Sequence, residues 1–441
     1  MSLSRQEMPG GPVFRAPFCA LSRALAWLLL ALRRTGWPPV LLRLSAPELR
    51  GYALATAYRL KARLWTLRQR APGWRAVQQA WSAAEGDAAV RNGLAGVLSA
   101  DDTVELIADG AAGFARREAL YASARQRIDI ATYYLQSDET GHATVRALTA
   151  CAARGVHVRL LVDRYMTFKK TLEVPGMAAF QEDIRRAGIA LHSGSDAQRP
   201  YDSNHRKMIV IDGGAAGQTV LVGGRNFADH YRGDAWRDVD LVVSGPAVAP
   251  LSRLFDALWE GAHADLSAPP WVDRVPADIL HDPVPRFLLS AIGAAKQSVD
   301  LELACFVGLE VLNDALLRAA ARGVRVRLYT NAADANDLPY AVPAAYDGML
   351  RLLHGGCAVH VRRGAGRTLH CKYAVVDRLW VSFGSHKLDD YSARFCCENN
   401  LLVALSFVPA WLLRAHRAHR AAAKSLHPSP ATVAQPDAKA P

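Results

Sequence analysis

The feature that most constrains this chain is the stretch Ser203-Asn204-His205-Arg206-Lys207-Met208-Ile209-Val210-Ile211-Asp212, because it has a twin in Leu369-His370-Cys371-Lys372-Tyr373-Ala374-Val375-Val376-Asp377. Both read His-x-Lys, four mainly apolar residues, then Asp. The apolar residues suit a buried strand, whose alternation would project His205 and Lys207 the same way, and likewise His370 and Lys372. An imidazole and an ammonium would thus meet at a strand start, twice. Lys is scarce, nine residues against 44 Arg. A chain with these His, Lys and Asp frequencies shows the pattern by chance about 0.02 times, so two copies carry chemical information.

The surrounding sequence is duplicated as well. Ala153-Arg154-Gly155-Val156-His157-Val158-Arg159-Leu160 recurs as Ala321-Arg322-Gly323-Val324-Arg325-Val326-Arg327-Leu328, an offset of 168, and His205 recurs as His370 at an offset of 165. That period is far longer than a solenoid repeat and indicates a duplicated domain. Strands read at Val104–Ala108, Ile128–Tyr134 and Val156–Asp163 alternate with helices at Phe114–Arg125, from Thr144, and near Met177–Ala187. This order predicts an α/β protein of two lobes, each a mainly parallel sheet flanked by helices. The expected division is 100–268 for the first lobe and 269–420 for the second, changing over near Ala268-Pro269-Pro270, with 421–441 a Pro/Ala-rich disordered tail.

Residues 1–99 read differently. Residues 1–75 hold thirteen Arg or Lys against Glu7 and Glu48, so +11 of the net +12 lies there. Ala24 to Leu32 is an apolar run too short to span a bilayer. From Leu49, the positions Leu49, Ala53, Ala57, Leu60, Leu64 and Leu67 step by threes and fours between Arg and Lys. That is a basic amphipathic helix suited to an anionic lipid interface, although a packing helix with a solvated basic face gives the same pattern. A nuclease would favour a basic groove through its lobes, whereas these lobes are nearly neutral, so no nucleic-acid partner is expected. The seven scattered Cys suggest neither a disulfide framework nor a zinc site and fit a reducing cytosol.

Matching polar residues follow each motif: Gly223-Gly224-Arg225-Asn226 and Trp236-Arg237-Asp238 in the first lobe, Gly384-Ser385-His386-Lys387 and Cys397-Glu398-Asn399 in the second. With them the chain resembles the phospholipase D superfamily over roughly residues 100–410, and more narrowly its bacterial cardiolipin synthase branch. The resemblance implies two lobes facing each other across a pseudo-twofold, with both motifs in one cleft and neither metal nor cofactor. It implies His205 as nucleophile, forming a phosphohistidine, and His370 as general acid and then base. The residues alone leave that choice symmetric. Lys207 and Lys372 would hold the phosphate oxygens, with Asn226, Ser385 and Lys387 at substrate-binding positions and Asp238 and Glu398 at histidine-orienting ones. Asp212 and Asp377 complete the motif's catalytic set. They lie at odd offsets from their histidines, which favours buttressing of the strands. Lys387 departs from the family, which has Asn there. The implied activity is phosphatidyl transfer on anionic phospholipid, phosphatidylglycerol above all, at the cytoplasmic side of a membrane. A phospholipase D-type hydrolase or nuclease and a non-catalytic scaffold are the alternatives.

Overall fold

The computed structural model describes residues 71–194, 202–262, 269–307, 309–338, 341–404 and 424–425. The apolar run from residue 24 and the amphipathic pattern from residue 49 lie outside these, as does most of the tail. Among the described residues no helix is long and apolar enough to cross a membrane.

Two helices, α1 (Pro72–Ser82) and α2 (Ala88–Leu94), lead into the first lobe. There β1 (Thr103–Ile107), α3 (Gly110–Ser123), β2 (Arg127–Thr132), α4 (Glu139–Ala153) and β3 (His157–Asp163) alternate as expected. Next come α5 (Arg164–Glu173), α6 (Met177–Arg186), β4 (Ala190–Gly194), β5 (Ser203–Asn204), β6 (Met208–Ile211) and β7 (Thr219–Gly223). The lobe closes with β8 (Trp236–Arg237), β9 (Asp240–Ser244) and α7 (Ala249–Trp259). The second lobe opens with β10 (Trp271–Arg274), α8 (Pro283–Ala294), β11 (Ser298–Leu303), α9 (Glu310–Ala321) and β12 (Arg325–Asn331). It continues through α10 (Val342–His354), β13 (Ala358–Arg362), β14 (Thr368–Leu369) and β15 (Lys372–Val376). Last are β16 (Trp380–Gly384), α11 (Asp390–Phe395), β17 (Cys396–Ala404) and the short β18 (Lys424–Ser425).

The duplication is visible in the sheets. The first runs β1-β9-β7-β6-β2-β3-β4 and the second β10-β17-β16-β15-β11-β12-β13, with β18 beside β13. The expected parallel pairing holds for β2–β3–β4 and β11–β12–β13. The ladders from β2 to β6, β7, β9 and β1 are antiparallel, as are their second-lobe counterparts, so each sheet is mixed. The short turn from β6 to β7, and from β15 to β16, leaves no room for the crossover helix a parallel pair needs.

The motif strands are apolar on both faces because both faces are covered. Met208 and Val210 join a core cluster shared with Tyr373, Val375, Phe383 and Leu401 of the other lobe. Ile209 and Ile211 turn to the helices of the first lobe, and Ala374 and Val376 to those of the second. The two sheets therefore pack face to face with helices outside. Each fully buried Ile or Val contributes roughly 1.5–3 kcal/mol.

Residues 72–98, grouped by sequence with the N-terminal segment, differ from that expectation. The stripe Trp74, Val77 and Trp81 on α1 joins the second-lobe core with Phe287, Leu288 and Leu316, and the Trp81 indole N–H donates to the Ile279 carbonyl at 2.8 Å. The local pattern is amphipathic in either setting; only its partner, some 200 residues away, makes it core. Trp81→Ala is expected to cost about 3–5 kcal/mol of stability. Denaturant unfolding of the full chain checks this, and an unchanged midpoint would mean α1 is an appendage.

Candidate active site

Each motif is delivered by a short strand that pairs with the opposite lobe. β5 pairs in parallel with β17, placing Asn204 beside Cys397, and the His205 N–H donates to the Cys397 carbonyl at 3.0 Å. β14 pairs with β8, placing Leu369 beside Arg237, and the His370 N–H donates to the Arg237 carbonyl at 2.7 Å. The next residue on each partner strand is the histidine-orienting carboxylate. The Glu398 oxygens lie 2.9 and 3.1 Å from His205 Nδ1, and Asp238 Oδ2 lies 2.7 Å from His370 Nδ1. Each histidine is thus held by the other lobe. A carboxylate only accepts, so Nδ1 carries the proton in the neutral ring and Nε2 keeps the reactive lone pair.

The expectation that His205 and Lys207 share a strand is corrected. Residues 205–207 form a break between β5 and β6, because the chain must leave the other lobe's sheet to enter its own. Lys207 comes back to its histidine by donating from Nζ to the His205 carbonyl at 2.6 Å. Lys372 opens β15, donates to the His370 carbonyl, and lies against the ring itself, 3.0 Å from Nδ1 and 3.3 Å from Nε2. No hydrogen bond to His205 Nε2 is formed among the described residues, which makes the two rings unequal.

The glycines of the polar segments are required by the close approach of the chain that carries these carboxylates. A Cβ on Gly224 would lie 2.3 Å from Asp238 Oδ2, and one on Gly223 would lie 2.0 Å from Asp240 Oδ1. A Cβ on Gly384 would meet the Asn399 carbonyl at 2.3 Å. Asn226 sits in the wall: its Nδ2 donates to the Tyr231 hydroxyl at 2.8 Å, and the Tyr231 ring packs edge-on to His370 at 5.3 Å. Ser385 is turned to β17, its Oγ accepting the Asn399 N–H at 3.1 Å, so it fixes the residue after Glu398. Lys387 Nζ stands 5.8 Å over the Tyr391 ring.

Asp212 and Asp377 are not brought to the histidines. Asp212 accepts the backbone N–H groups of Arg125, Gln126 and Arg127 at 2.7–2.9 Å, and Asp377 those of Lys296, Gln297 and Ser298 at the same distances. Both adopt positive φ, 48° and 52°, which Asp tolerates better than most residues. They fasten the turns before β2 and β11.

The site carries a surplus of buried cations. Burial, then Lys207, Lys387 and Lys372, holds His205 well below an ordinary imidazole. Burial and Lys372 bring His370 down to about 3 against the upward pull of Asp238. Lys207 is pushed well down by burial, with Lys372 and Lys387 adding repulsion and Glu398 opposing. Burial also disfavours the Lys387 cation, yet Asp389, Cys396, Glu398 and Asp337 raise it above its usual value. Burial works against the Asp238 anion, but Lys372, His370 and Arg225 keep it below the usual carboxylate range. Both histidines are therefore neutral at pH 7 in the free protein, amid three lysines suited to an anion.

Sequence reasoning gave no role to several members of this site, although Arg225 and Trp236 stand in the polar segments it picked out. Tyr133 packs edge-on to His205 at 4.8 Å, and Trp236 lies 5.3 Å from His370. Arg225 pairs with Asp240 at 2.8 Å and donates to the Asp238 carbonyl, buttressing the carboxylate that holds His370. Asp163 accepts the Asn204 N–H at 2.8 Å, next to the nucleophile candidate. The sequence signal was position alone: Arg225 and Trp236 stand in the polar segments that follow the first motif, while Tyr133 and Asp163 stand at or just past the ends of β2 and β3.

Titration of these rings makes stability depend on pH. Between about 3 and the ordinary value of 6.5, an unfolded His370 binds a proton that the native ring does not. Stability therefore falls as pH drops through that window. His370→Gln is expected to flatten the slope by up to one proton's worth, read from denaturant unfolding between pH 7 and pH 4. Equal slopes would mean His370 is already protonated in the native state.

Comparison with known proteins agrees with this geometry. The family model described as cardiolipin synthase, PLD-like domain, matches residues 119–259 and 288–410. A cardiolipin synthase A of Pseudomonas aeruginosa is 30% identical over 323 residues, covering 68% of this chain and 63% of that protein. A cardiolipin synthase of Geobacillus thermodenitrificans is 29% identical over 305 residues, covering 63% of this chain and 58% of that protein. The chain thus spans less than two thirds of the length of these relatives. In fold it is similar to the crystal structure of phosphatidylserine synthase from Haemophilus influenzae, with a TM-score of 0.58 at 16% identity over 73% of this chain and 87% of that one. Two matched blocks, each holding one His-x-Lys motif and its glycine-rich partner segment, leave one conclusion: this chain belongs to the PLD-like family of the cardiolipin synthases.

Proposed function

We propose that the protein is a phosphatidyltransferase that makes cardiolipin from phosphatidylglycerol at the cytoplasmic face of a membrane, through a phosphohistidine. The observation that carries this reading is the reciprocal hold of His205 by Glu398 and His370 by Asp238. It presents two imidazoles, each with Nε2 available for chemistry, to a site lined by Lys207, Lys372 and Lys387. The names of the curated relatives support the lipid product, and the +11 on residues 1–75 supports an anionic surface.

The steps follow from the electrostatics. A phosphodiester anion entering between the lysines offsets their mutual repulsion and favours protonation of His370. Neutral His205 attacks phosphorus through Nε2, forming the N–P bond as the bond to the departing glycerol oxygen breaks. Imidazolium His370 gives that oxygen its proton. His370, now neutral, takes the proton of an acceptor hydroxyl, whose oxygen attacks phosphorus and releases His205. The lysines stabilise the charge that grows on the non-bridging oxygens. The approach of Lys372 to the His370 ring, which has no counterpart between Lys207 and the His205 ring, supports His205 as nucleophile. Asp212 and Asp377 act only through the turns they fasten.

Purified protein incubated with phosphatidylglycerol vesicles should yield cardiolipin and glycerol by mass spectrometry. Phosphatidic acid alone would make it a hydrolase, and no lipid product would contradict the proposal. His205→Ala should prevent a trapped, acid-labile phosphohistidine, while His370→Ala should still form one slowly. Each should lose two orders of magnitude or more in turnover, the lower end of the ~10²–10⁴ that general acid–base groups supply. A label on His370 in His205→Ala would reverse the assignment.

Lys387 gives a pH test. Its charge disfavours the protonated form of His205, so Lys387→Met should raise that pKa. The acid limb of kcat/KM should then move to higher pH, because neutral His205 is lost sooner on acidification. A limb that stays in place would disconnect Lys387 from the nucleophile.

A further inference from the structure

One helix of the first lobe is left without a core of its own. None of the residues of α5 is buried. Met166 packs partly against the lobe, while Phe168 and Leu172, four residues apart and so on one face, are 63% and 59% exposed. A helix of this length is marginal in water unless a face is packed, so an apolar face turned to solvent points to a partner. Arg164 and Lys169 flank that face, Lys169 pairing with Glu173 at 3.4 Å, while Lys170 is turned to the lobe, so the helix as a whole carries three cations against one carboxylate. Apolar anchors with flanking cations are the pattern of a helix that lies in an anionic lipid interface.

The position of α5 gives this face a purpose. The helix follows the C-terminal end of β3, beside the end of β2 where Tyr133 packs on His205. Lys170 donates to Gln136 Oε1 at 2.7 Å and stands 4.6 Å over the Tyr134 ring. The Tyr134 hydroxyl meets His230 Nε2 at 3.0 Å, and His230 packs on Trp236, the neighbour of His370. Asp163 joins the helix to the motif with a single carboxylate. Its Oδ1 caps α5 by accepting the Met166 N–H at 2.6 Å, and its Oδ2 accepts the Asn204 N–H at 2.8 Å.

We propose that α5 is a membrane-contact helix, setting Phe168 and Leu172 into an anionic bilayer at the mouth of the cleft and coupling that contact to the His205 segment through Asp163. The proposal rests on the phosphatidyltransferase reading for its choice of lipid as partner. It is separate from the basic segment at residues 1–75, which lies outside the described residues in all but its end. The bilayer is the occupant because the helix carries a net positive charge, which matches anionic headgroups, and because α5 adjoins the strand ends beside His205, where a lipid would react.

Two arms test it on the full chain. In the first, Phe168→Cys carries a polarity-sensitive dye in a Cys19→Ser background; the remaining cysteines are buried. The dye should shift to an apolar environment with phosphatidylglycerol vesicles and not with phosphatidylcholine vesicles. An apolar signal before any vesicle is added would mean that another part of the chain or a second copy covers the face, and would overturn the proposal. So would an absent shift or an equal shift with both vesicles. In the second arm, Phe168→Glu/Leu172→Glu should cut turnover of vesicle phosphatidylglycerol by about ten-fold or more, while dihexanoyl-phosphatidylglycerol in solution is turned over within about two-fold of the unaltered protein. An unchanged unfolding midpoint confirms that the variant folds. Equal losses on both substrates would overturn the interfacial role. If the unaltered protein acts on neither lipid, the transferase reading fails, and the dye arm still decides whether α5 touches a membrane.

Discussion

The structure depends on an exchange: each lobe holds the other's histidine. Glu398 of the second lobe fixes His205 of the first, and Asp238 of the first fixes His370 of the second. The exchange is made by the backbone before the side chains, since β5 pairs with β17 and β14 with β8. The face-to-face packing of the sheets, with Met208 and Val210 against Tyr373 and Val375, sets the spacing at which these strands can meet. A lobe alone would hold a histidine without its carboxylate and a carboxylate without its histidine. The duplication is therefore a working dimer within one chain.

The second theme is stored electrostatic tension. Burial first, and then neighbouring lysines, lowers the pKa values of Lys207 and both histidines, while the carboxylates around Lys387 favour its cation. The lobes are not equivalent in this respect. Asn226 of the first, whose amide is engaged with Tyr231, is answered in the second by Lys387, whose pKa Asp389 and Glu398, among others, raise against the effect of burial. The extra cation lies on the side that holds His205, where it favours the neutral ring.

The residues that the fold brings together were legible in the sequence because the patterns that carry them are local. The doubled motif, the glycine-rich segments and the alternation of β2, α4 and β3 are short-range patterns that physical chemistry reads directly. The offset of Asp212 and Asp377 from their histidines also pointed to the buttressing geometry that their three backbone contacts show. What escaped was long-range. Which carboxylate serves which histidine depends on a contact across 193 residues. The attachment of α1 to the second lobe depends on Trp81 meeting Ile279, 198 residues away. The strand break at residues 205–207 exists only because the chain changes sheets there. The antiparallel ladders were missed because β6 and β7 are individually indistinguishable from parallel strands when both faces are buried. Asp163 read as the last residue of a strand, and only the fold shows it joining α5 to the motif.

The exchange can be seen directly in the imidazole nitrogens. Nitrogen-15 NMR of selectively labelled histidines reports which ring nitrogen carries the proton and how strongly it is bound. In the unaltered protein at pH 7, both His205 and His370 should appear as neutral rings protonated on Nδ1 with strong hydrogen bonds. Glu398→Gln should shift the Nδ1 signal of His205, in the other lobe, and leave that of His370 nearly unmoved. Asp238→Asn should do the converse. A response confined to the histidine of the same lobe would contradict the exchange on which the account rests.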